Sequence, residues 1–371
     1  MLRRAILAAV VAVIAYKLMA FVIKTGVFTH YKKHYPGLCR HVKGLDYGSE
    51  DLEVTKDGLA FITSGVNFSP MPTGFKDFLR INNIRGRIFL YDFNKLNPEA
   101  TELQLTPSRD FNPDTFHPHG ISILEDKVKG EHILYIINHP EVGDDVVEKF
   151  RFLRKASKLL HLKSFRSPHF HITNDLAMTG EDRFYISNYL YFRDHRLSII
   201  EQGFLPIGLG SLLYFNGSCY SVVDSGLFLP NGMALSKDKR YLYVNFPILN
   251  TINVYERKYD NSLTLLQTVD LHSKADNLHL SESGDALYTG AHPILHHLVA
   301  HLHDPRQPAP SSVLRLPLRY GKIVSEEITE LFYDHGDLIS GSSCAAVYKK
   351  KLLIGSVINK LVVCDVNADV I

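Results

Sequence analysis

The sequence predicts an all-β fold, a six-bladed β-propeller, preceded by an N-terminal transmembrane or signal-anchor helix. Three observations support this prediction. A strand-turn-strand pattern recurs six times, each repeat opens with a pair of residues that are mostly polar, and the chain begins with a long apolar segment. We therefore divide the chain into residues 1–36, a short cytoplasmic tip with the anchor helix and a stalk, and residues 37–371, the propeller.

The N-terminal helix is predicted from residues 5–23, which are almost wholly apolar. At 1.5 Å per residue, such a helix would be about 28 Å long, close to the thickness of a bilayer core. Lys17 interrupts the segment, and its long side chain would reach the membrane surface. Val13 and Ala15 leave a second interpretation open, because small residues after a short apolar run are typical of a cleaved signal peptide.

The propeller is predicted from six repeats at intervals of roughly 45 to 70 residues, which is typical of propeller blades. In each repeat the third and fifth positions are apolar, as Leu176 and Met178 are, and a turn and a second β-rich run follow. Such alternation indicates a half-buried strand. Six blades of about four strands each would place the first strand of every blade around a central channel.

The residue pairs that open the repeats would then lie around one axis. These pairs are Glu50-Asp51, His119-Gly120, Asn174-Asp175, Asn231-Gly232, Asp276-Asn277 and Ser343-Cys344. The alternative is that they are turn residues that precede strands. A ring of carboxylate and amide oxygens suits Ca²⁺ far better than Zn²⁺. The candidate ligands are Glu50, Asn174, Asn231, Asp276 and Asn277.

A second ion is expected at another depth of the channel. Successive strand residues point to opposite sides, so Asp51 and Asp175 would face away from the first set of ligands. Two histidines accompany the ring: His119 in "FHPHG" and His139 in "NHP". With a pKa near neutrality, this pair would activate water beside a carbonyl polarised by Ca²⁺.

The histidine-rich stretch "HPILHHLVAHLHDP" begins at His292. Its histidines could suggest a zinc site, but no Cys or Glu completes a recognised spacing. The stretch is therefore predicted to be a solvated strand or loop.

These motifs together resemble the paraoxonases, Ca²⁺-dependent six-bladed propellers with lactonase and arylesterase activity. The resemblance covers about residues 37–366 and includes "HPHGIS", "NHP", "PNGMALS", "DNLHLS" and "YKKKLLIGSV". It implies a catalytic Ca²⁺ held by Glu50, Asn174, Asn231, Asp276 and Asn277. It also implies a structural Ca²⁺ held by Asp51, Asp175 and the carbonyl of Ile121. The implied catalytic residues are His119, His139 and His292, and the implied disulfide is Cys39 with Cys364.

The function that the resemblance implies is Ca²⁺-dependent hydrolysis of small lactones and aryl esters. The same resemblance leaves an alternative of another class, because some membrane-anchored paraoxonase-like proteins are endoplasmic-reticulum accessory factors for ion-channel assembly. In that case a membrane protein would be the partner. Nucleic acid is not an expected partner, since 41 basic and 39 acidic residues give a net charge of only +2.

The expected location is a membrane, with a single-pass type II anchor and the propeller in the endoplasmic-reticulum lumen or outside the cell. A disulfide needs such an oxidising compartment, and cleavage of the N-terminus would give a secreted form. Asn216 and Asn67 begin N-glycosylation patterns, the second weakened by Pro70.

Some positions depart from the paraoxonase pattern. Ala291 replaces a cysteine of the family, and Cys219 has no counterpart. Cys344 is either a small core residue or a reactive thiol in the wall of the pocket. Residues 188–215 diverge strongly, so substrate choice and membrane docking are not carried over.

Overall fold

A computed structural model describes residues 2–28, 32–126, 130–203 and 208–367. Its strands form six sheets, the blades of a propeller. The innermost strand of each blade contacts the innermost strands of both neighbouring blades, and the sixth contacts the first. The sheets therefore close into a ring, which confirms the predicted six-bladed propeller.

Each of the first three blades begins with an inner strand at the channel and continues outward. Blade 1 comprises, in that order, Leu52–Val54, Leu59–Ser64, Arg87–Asp92 and Thr101–Glu102. Blade 2 comprises Pro118–Asp126, Glu131–Asn138, Val146–Leu153, Lys158–Arg166 and Gln104–Thr106. Blade 3 comprises Ile172–Gly180, Arg183–Leu190, Gly210–Phe215 and Tyr220–Leu227.

The second half of the ring repeats this plan. Blade 4 comprises Met233–Leu235, Tyr241–Phe246, Thr251–Arg257 and Leu263–Asp270. Blade 5 comprises Lys274–Leu280, Ala286–His292 and Ser311–Arg319, the last of which pairs with both Lys322–Ile323 and Thr329–Asp334. Blade 6 comprises Ser342–Tyr348, Lys351–Ser356, Val362–Asp365 and Cys39–His41.

The strand Cys39–His41 closes the ring, because it comes first in the chain yet is the outermost strand of blade 6. It pairs antiparallel with Val362–Asp365, and Cys39 lies opposite Cys364. These two cysteines form a disulfide across a sequence separation of 325 residues. The pairing that the resemblance implied is therefore present, and it covalently joins the first strand to the last.

The hydrophobic core lies between adjacent blades. One cluster joins Phe61 of blade 1 to Leu134 and Phe150 of blade 2. The next joins Tyr135 of blade 2 to Phe184 of blade 3. Packing of this kind fixes each inner strand against two neighbours, so polar residues at the starts of those strands are held at defined positions.

Four α-helices accompany the sheets among the described residues. They are α1 (Leu2–Lys24), α2 (Thr73–Ile81), α3 (His195–Gly203) and α4 (Leu295–His303). Short 3₁₀ turns lie at Pro113–Thr115, Arg154–Ala156, Pro247–Leu249 and Ser325–Glu327. The predicted anchor corresponds to α1, but within the described residues no helix combines the length and hydropathy of a membrane span. The anchor therefore stays a prediction.

Helix α4 corrects the prediction of a solvated strand or loop for the histidine-rich stretch. Leu295, Leu298 and Leu302 are spaced three and four residues apart, which places them on one face of a helix. That face lines a cavity at the centre of the ring. His301 is fully buried, and its Nδ1 lies 2.6 Å from the carbonyl oxygen of Gln307.

Candidate active site

The polar residues of the inner strands meet at two depths of the central channel. The upper cavity, of about 120 Å³, is lined by Glu50, Asn174, Asn231 and Asp276 among others. The lower cavity, of about 250 Å³, is lined by Asp51, Ile121 and Asp175 among others. Neighbours in sequence such as Glu50 and Asp51 thus face different cavities, as strand alternation predicts.

The upper residues contact one another through a short network. Asn277 Nδ2 donates to Glu50 Oε1 at 2.9 Å and to the Glu50 carbonyl at 3.0 Å. His119 Nε2 lies 3.5 Å from the same Oε1 and 3.4 Å from Asn174 Nδ2. On the opposite side, His292 Nε2 lies 2.9 Å from Asp276 Oδ2. The predicted catalytic and ligand residues are therefore brought together.

Three buried oxygens of this network accept no hydrogen bond from any described residue: Glu50 Oε2, Asn174 Oδ1 and Asn277 Oδ1. An unsatisfied buried acceptor costs about 1–3 kcal/mol, and acceptors cannot satisfy one another. Burial also raises the pKa of the Asp276 carboxyl, which marks its ionised form as costly. A cation with affinity for carboxylate and amide oxygens would satisfy all of these groups, and Ca²⁺ is such a cation.

Amide oxygens are as important as carboxylates for the match between this cavity and a cation. Glu50 and Asp276 are the two acids of the predicted upper set, and Asn231 Oδ1 already accepts a bond from the Gly232 amide at 2.5 Å. In the described part of the chain, no three His, Cys, Asp or Glu side chains form a metal-binding group by themselves. Mixed carboxylate and amide oxygens are ligands that a hard cation such as Ca²⁺ prefers, whereas zinc prefers thiolate and imidazole ligands.

In the lower cavity, the carboxylates tie neighbouring blades together. Asp51 accepts from its neighbour Leu52 at 2.8 Å and from Ile121 of blade 2 at 2.9 Å. Asp175 accepts in the same way from Leu176 at 2.7 Å and from Met233 of blade 4 at 2.6 Å. Burial, together with nearby acids, raises the pKa of both carboxyls well above the usual value. Each of these carboxylate oxygens has a further lone pair that the backbone amides do not use.

A line of three buried side chains runs away from the upper cavity. His119 Nδ1 lies 2.8 Å from His139 Nε2, and His139 Nδ1 lies 3.0 Å from Asp145 Oδ1, although off the hydrogen-bonding direction. Asp145 also accepts from the Thr173 amide at 2.7 Å and from Arg193 at 2.9 Å. These contacts fix the carboxylate behind the histidine pair.

The pKa values of the three groups differ in direction. Burial opposes the charge of His119, but Glu50 outweighs it and raises the pKa of His119. Burial lowers the pKa of His139 despite the nearby Asp145. Burial opposes ionisation of Asp145, but His139 and Arg193 outweigh it and lower its pKa. These shifts favour the ionised carboxylate at Asp145 and the neutral imidazole at His139. His119, at the cavity, is the more basic of the two imidazoles.

Sequence reasoning missed four residues of this site. Asp145 supports His139; Phe68 stacks on His119 with a ring-centroid distance of 5.5 Å; Tyr189 and Lys274 line the upper cavity. A signal existed for Lys274, because it lies two residues before Asp276 and alternation puts both on one face of the strand. Asp145 and Phe68 carry no such signal, since other blades and loops bring them to the site.

The remaining predicted residues line neither of the two channel cavities. Asn216 is exposed in the turn between two strands of blade 3, whereas Asn67 is partly buried with its Oδ1 enclosed. Glycosylation at both stays a prediction. Cys344 is buried in the core, with its Sγ 3.3 Å from the Ser49 carbonyl, and it does not line the upper cavity. It is therefore the small core residue of the two alternatives.

Comparison with known proteins gives a family for this fold and site. A sequence model described as arylesterase matches residues 32–366. The chain is 36% identical over 330 residues to "Serum paraoxonase/arylesterase 1" of Homo sapiens, covering 88% of each chain. It is 33% identical over 362 residues to "Serum paraoxonase/lactonase 3" of Oryctolagus cuniculus, covering 97% of each.

Among solved structures, a luciferin-regenerating enzyme superposes with a TM-score of 0.53 at 11% identity, covering 90% of this chain and 98% of the other. That likeness concerns the fold alone. The family match covers the whole propeller, including every residue of both cavities named above. The chain therefore belongs to the arylesterase family, which includes the paraoxonases.

Proposed function

We propose that this protein is a Ca²⁺-dependent hydrolase of lactones and aryl esters. The observation that carries the proposal is the buried line Asp145, His139 and His119, which ends beside unsatisfied oxygens in one small cavity. A base and a cation site then face the same bound carbonyl. The names of the relatives, arylesterase and lactonase, describe esters and lactones as substrates of those proteins and support the same substrate class for this chain.

The contacts favour one tautomer for each of the two histidines. Asp145 favours a proton on His139 Nδ1, so His139 Nε2 is free to accept one from His119 Nδ1. This tautomer leaves His119 Nε2 unprotonated and directed to the upper cavity, where it would remove a proton from water. The Asn174 amide at 3.4 Å is a donor and is compatible with that state.

Residues Glu50, Asn174, Asn231, Asp276 and Asn277 would hold the ion in the upper cavity. When bound there, Ca²⁺ supplies the charge that polarises a carbonyl and stabilises the oxyanion. His292 holds Asp276 in place through a 2.9 Å contact. Phe68 covers both His119 and His139, with ring-centroid distances of 5.5 and 5.1 Å, and excludes bulk water from the pair.

Asp51, Asp175 and the Ile121 carbonyl would hold a second, structural ion in the lower cavity, between blades that the two carboxylates already link. The apolar helix α1 would anchor the propeller in a membrane as a single-pass type II protein, with the disulfide Cys39–Cys364 on the oxidising side. Glycosylation of Asn216 would require the same side.

The experiment is lactone and aryl-ester turnover by the full-length chain in detergent, measured with calcium and after chelation. We expect turnover that needs calcium. A well-folded protein that hydrolyses no lactone or aryl ester in calcium would contradict the proposal and would favour the accessory role in membrane-protein assembly.

A further inference from the structure

Three side chains on the outer part of blade 2 form a hydrogen-bonded line that is separate from the channel. Ser108 Oγ lies 2.8 Å from His161 Nδ1, and His161 Nε2 lies 3.0 Å from Glu148 Oε2. None of these three residues lines the upper or the lower cavity. A hydroxyl within hydrogen-bond reach of a base, which a third group orients, is the arrangement that makes a serine nucleophilic.

The strands of blade 2 place the histidine and the carboxylate side by side. Glu148 lies on the third strand of the blade and His161 on the fourth. The register shifts between His161 and Lys163, so a β-bulge brings Ser164 to the same face as His161. Both side chains then contact one oxygen of Glu148, Ser164 Oγ at 2.5 Å and His161 Nε2 at 3.0 Å.

The imidazole ring is held in one orientation by its surroundings. The His161 side chain has no exposed surface, and that of Glu148 is only 2% exposed. Phe111 stacks on the ring with a centroid distance of 4.8 Å, and Phe150 packs edge-on at 5.1 Å. A base fixed in this way needs no rearrangement before it accepts a proton.

The contacts of Glu148 favour one tautomer of His161. Its carboxylate is surrounded by donors, because Asn138 Nδ2 also donates to Oε1 at 3.3 Å. The ring proton therefore belongs on Nε2, and Nδ1 is left to accept the hydroxyl proton of Ser108. The amide of Asp110 donates to Ser108 Oγ at 3.3 Å. The hydroxyl is thus directed at an unprotonated nitrogen.

Ser108, unlike its two partners, is partly exposed. It follows the outermost strand of blade 2, and its neighbours Pro107 and Arg109 are exposed. A carbonyl group can therefore reach Oγ from solvent. The amide of Arg109, the residue after the serine, donates to no acceptor in the part of the chain that the structure describes. In α/β-hydrolases the amide at this position stabilises the oxyanion.

We propose that Ser108, His161 and Glu148 form a second esterase site, in which Ser108 is the nucleophile. The surface around Ser108 is open, so the site would take esters with a small acyl group and a good leaving group, such as aryl acetates. All three parts are side chains, so this reaction would proceed without a metal ion. The inference goes beyond the proposed function and does not rest on it.

The reaction would proceed in two steps through an acyl-serine. In the first, Ser108 Oγ bonds to the carbonyl carbon while its proton passes to His161 Nδ1. The bond to the aryl oxygen breaks, and the phenolate takes that proton and leaves as the phenol. In the second, water gives a proton to His161 and bonds to the carbonyl carbon. The bond to Oγ breaks, Oγ regains the proton, and the carboxylic acid is released.

The test uses a fluorophosphonate probe, from which an activated serine displaces fluoride to give a stable phosphonyl ester. The full-length protein in detergent is treated with the probe in calcium, and the modified peptide is identified by mass spectrometry. We expect modification at Ser108. Ser108→Ala should abolish it, and His161→Gln should slow it roughly 10²-fold or more, because the base is removed. Chelation below the melting temperature should change the rate less than about threefold.

The matched control is Ser225→Ala, which removes an exposed serine from the outer strand of blade 3 and should leave the labelling unchanged. Wild-type protein unfolded in urea should not be labelled at Ser108, since the line is lost. A folded wild type that is not labelled at Ser108 would overturn the inference. Equal labelling of Ser108 in the folded and the unfolded wild type would also overturn it, whether or not His161→Gln folds.

The two sites can be tested independently. Lactone turnover in calcium, without any labelling of Ser108, would support the proposed function and contradict this inference. Labelling of Ser108 that depends on the folded state, without lactone turnover, would do the reverse. Hydrolysis of 4-nitrophenyl acetate after chelation should fall roughly 10²-fold in kcat/KM in Ser108→Ala but not in Ser225→Ala. Equal rates for these two variants would contradict the second site.

Discussion

His119 Nδ1 lies 2.8 Å from Nε2 of His139, and both rings are buried. The contact uses one nitrogen of each ring, so the other nitrogen of His139 is left for Asp145 and the other nitrogen of His119 for the cavity. A pair arranged in this way has a defined direction for proton movement. In the proposed mechanism, this direction would allow His119 to act as the base that removes a proton from water.

The first prediction concerns His119→Gln. Glutamine is polar and of similar size but cannot remove a proton, so lactone turnover should fall roughly 10²-fold or more. Calcium affinity and melting temperature should change little, because His119 is not among the proposed ligands. Steady-state kinetics measure lactone turnover. Melting curves recorded at increasing calcium concentrations measure the melting temperature and the calcium affinity.

The control is His117→Gln, two residues away, since His117 does not line the upper cavity and its replacement should be tolerated. A His119→Gln protein that loses calcium or melts much earlier would instead make His119 a structural residue.

The second prediction concerns calcium removal. Without a cation, Glu50, Asp51, Asp175 and Asp276 would be acids crowded around one axis, at a high desolvation cost. An ion at 100 times its Kd stabilises the fold by about 2.7 kcal/mol. Chelation should therefore lower the melting temperature by about 5 °C or more.

Glu50→Gln should reduce that calcium-dependent shift, whereas the exposed Glu102→Gln on blade 1 should not. A melting temperature that stays the same after chelation, and again after calcium is returned, would mean that the channel holds no stabilising ion.

The six inner strands could be predicted because their signal is local. Alternation of apolar residues, as at Leu176 and Met178, is read within one strand, and its sixfold recurrence gives the number of blades. Equivalent positions in the repeats then placed Glu50 and Asn174 in the same channel. The two depths followed from the same alternation.

The rest of the site depends on contacts between distant parts of the chain. Asp145 is oriented by Thr173 on the inner strand of blade 3 and by Arg193 in the connection between the second and third strands of that blade. Nothing in the local pattern around Asp145 indicates those partners. Helix α4 was missed for a different reason, because its many histidines concealed the helical spacing of Leu295, Leu298 and Leu302.

The third prediction concerns the disulfide that closes the ring. Cys39 and Cys364 are 325 residues apart, and in the chain-entropy model a crosslink over such a long loop contributes about 5 kcal/mol. Replacing both with serine should lower the free energy of unfolding by a comparable amount, measured in urea. Cys219→Ser removes an exposed free thiol and should have little effect. If non-reducing peptide mapping found Cys39 bonded to Cys219 or Cys344, that result would contradict the closure of the ring by Cys39 and Cys364.

The last prediction concerns Asp334, which attaches the stalk to blade 5. Its buried carboxylate accepts from Tyr35 Oη at 2.6 Å and from the amides of Gly336 and Leu338 at 2.9 Å. Lys33 Nζ lies 3.1 Å away. Burial opposes ionisation, but the bonds from Tyr35 and Leu338 outweigh it and lower the pKa of Asp334. The folded state therefore stabilises the ionised form.

Asp334→Asn keeps the shape and loses the charge, so it should lower the free energy of unfolding by about 2 kcal/mol at pH 7. The sign of the pH dependence follows from the lowered pKa. The stabilisation is complete above the unfolded value of about 3.9 and is lost as the pH falls through the folded pKa. The difference between the wild type and Asp334→Asn should thus be constant above about pH 5 and shrink at lower pH.

Asp337→Asn, at the exposed second partner of Lys33, should cost less than about 1 kcal/mol. Urea unfolding of the three proteins from pH 3 to pH 7 measures these differences, and a gap between the wild type and Asp334→Asn that widens on acidification would contradict the assignment.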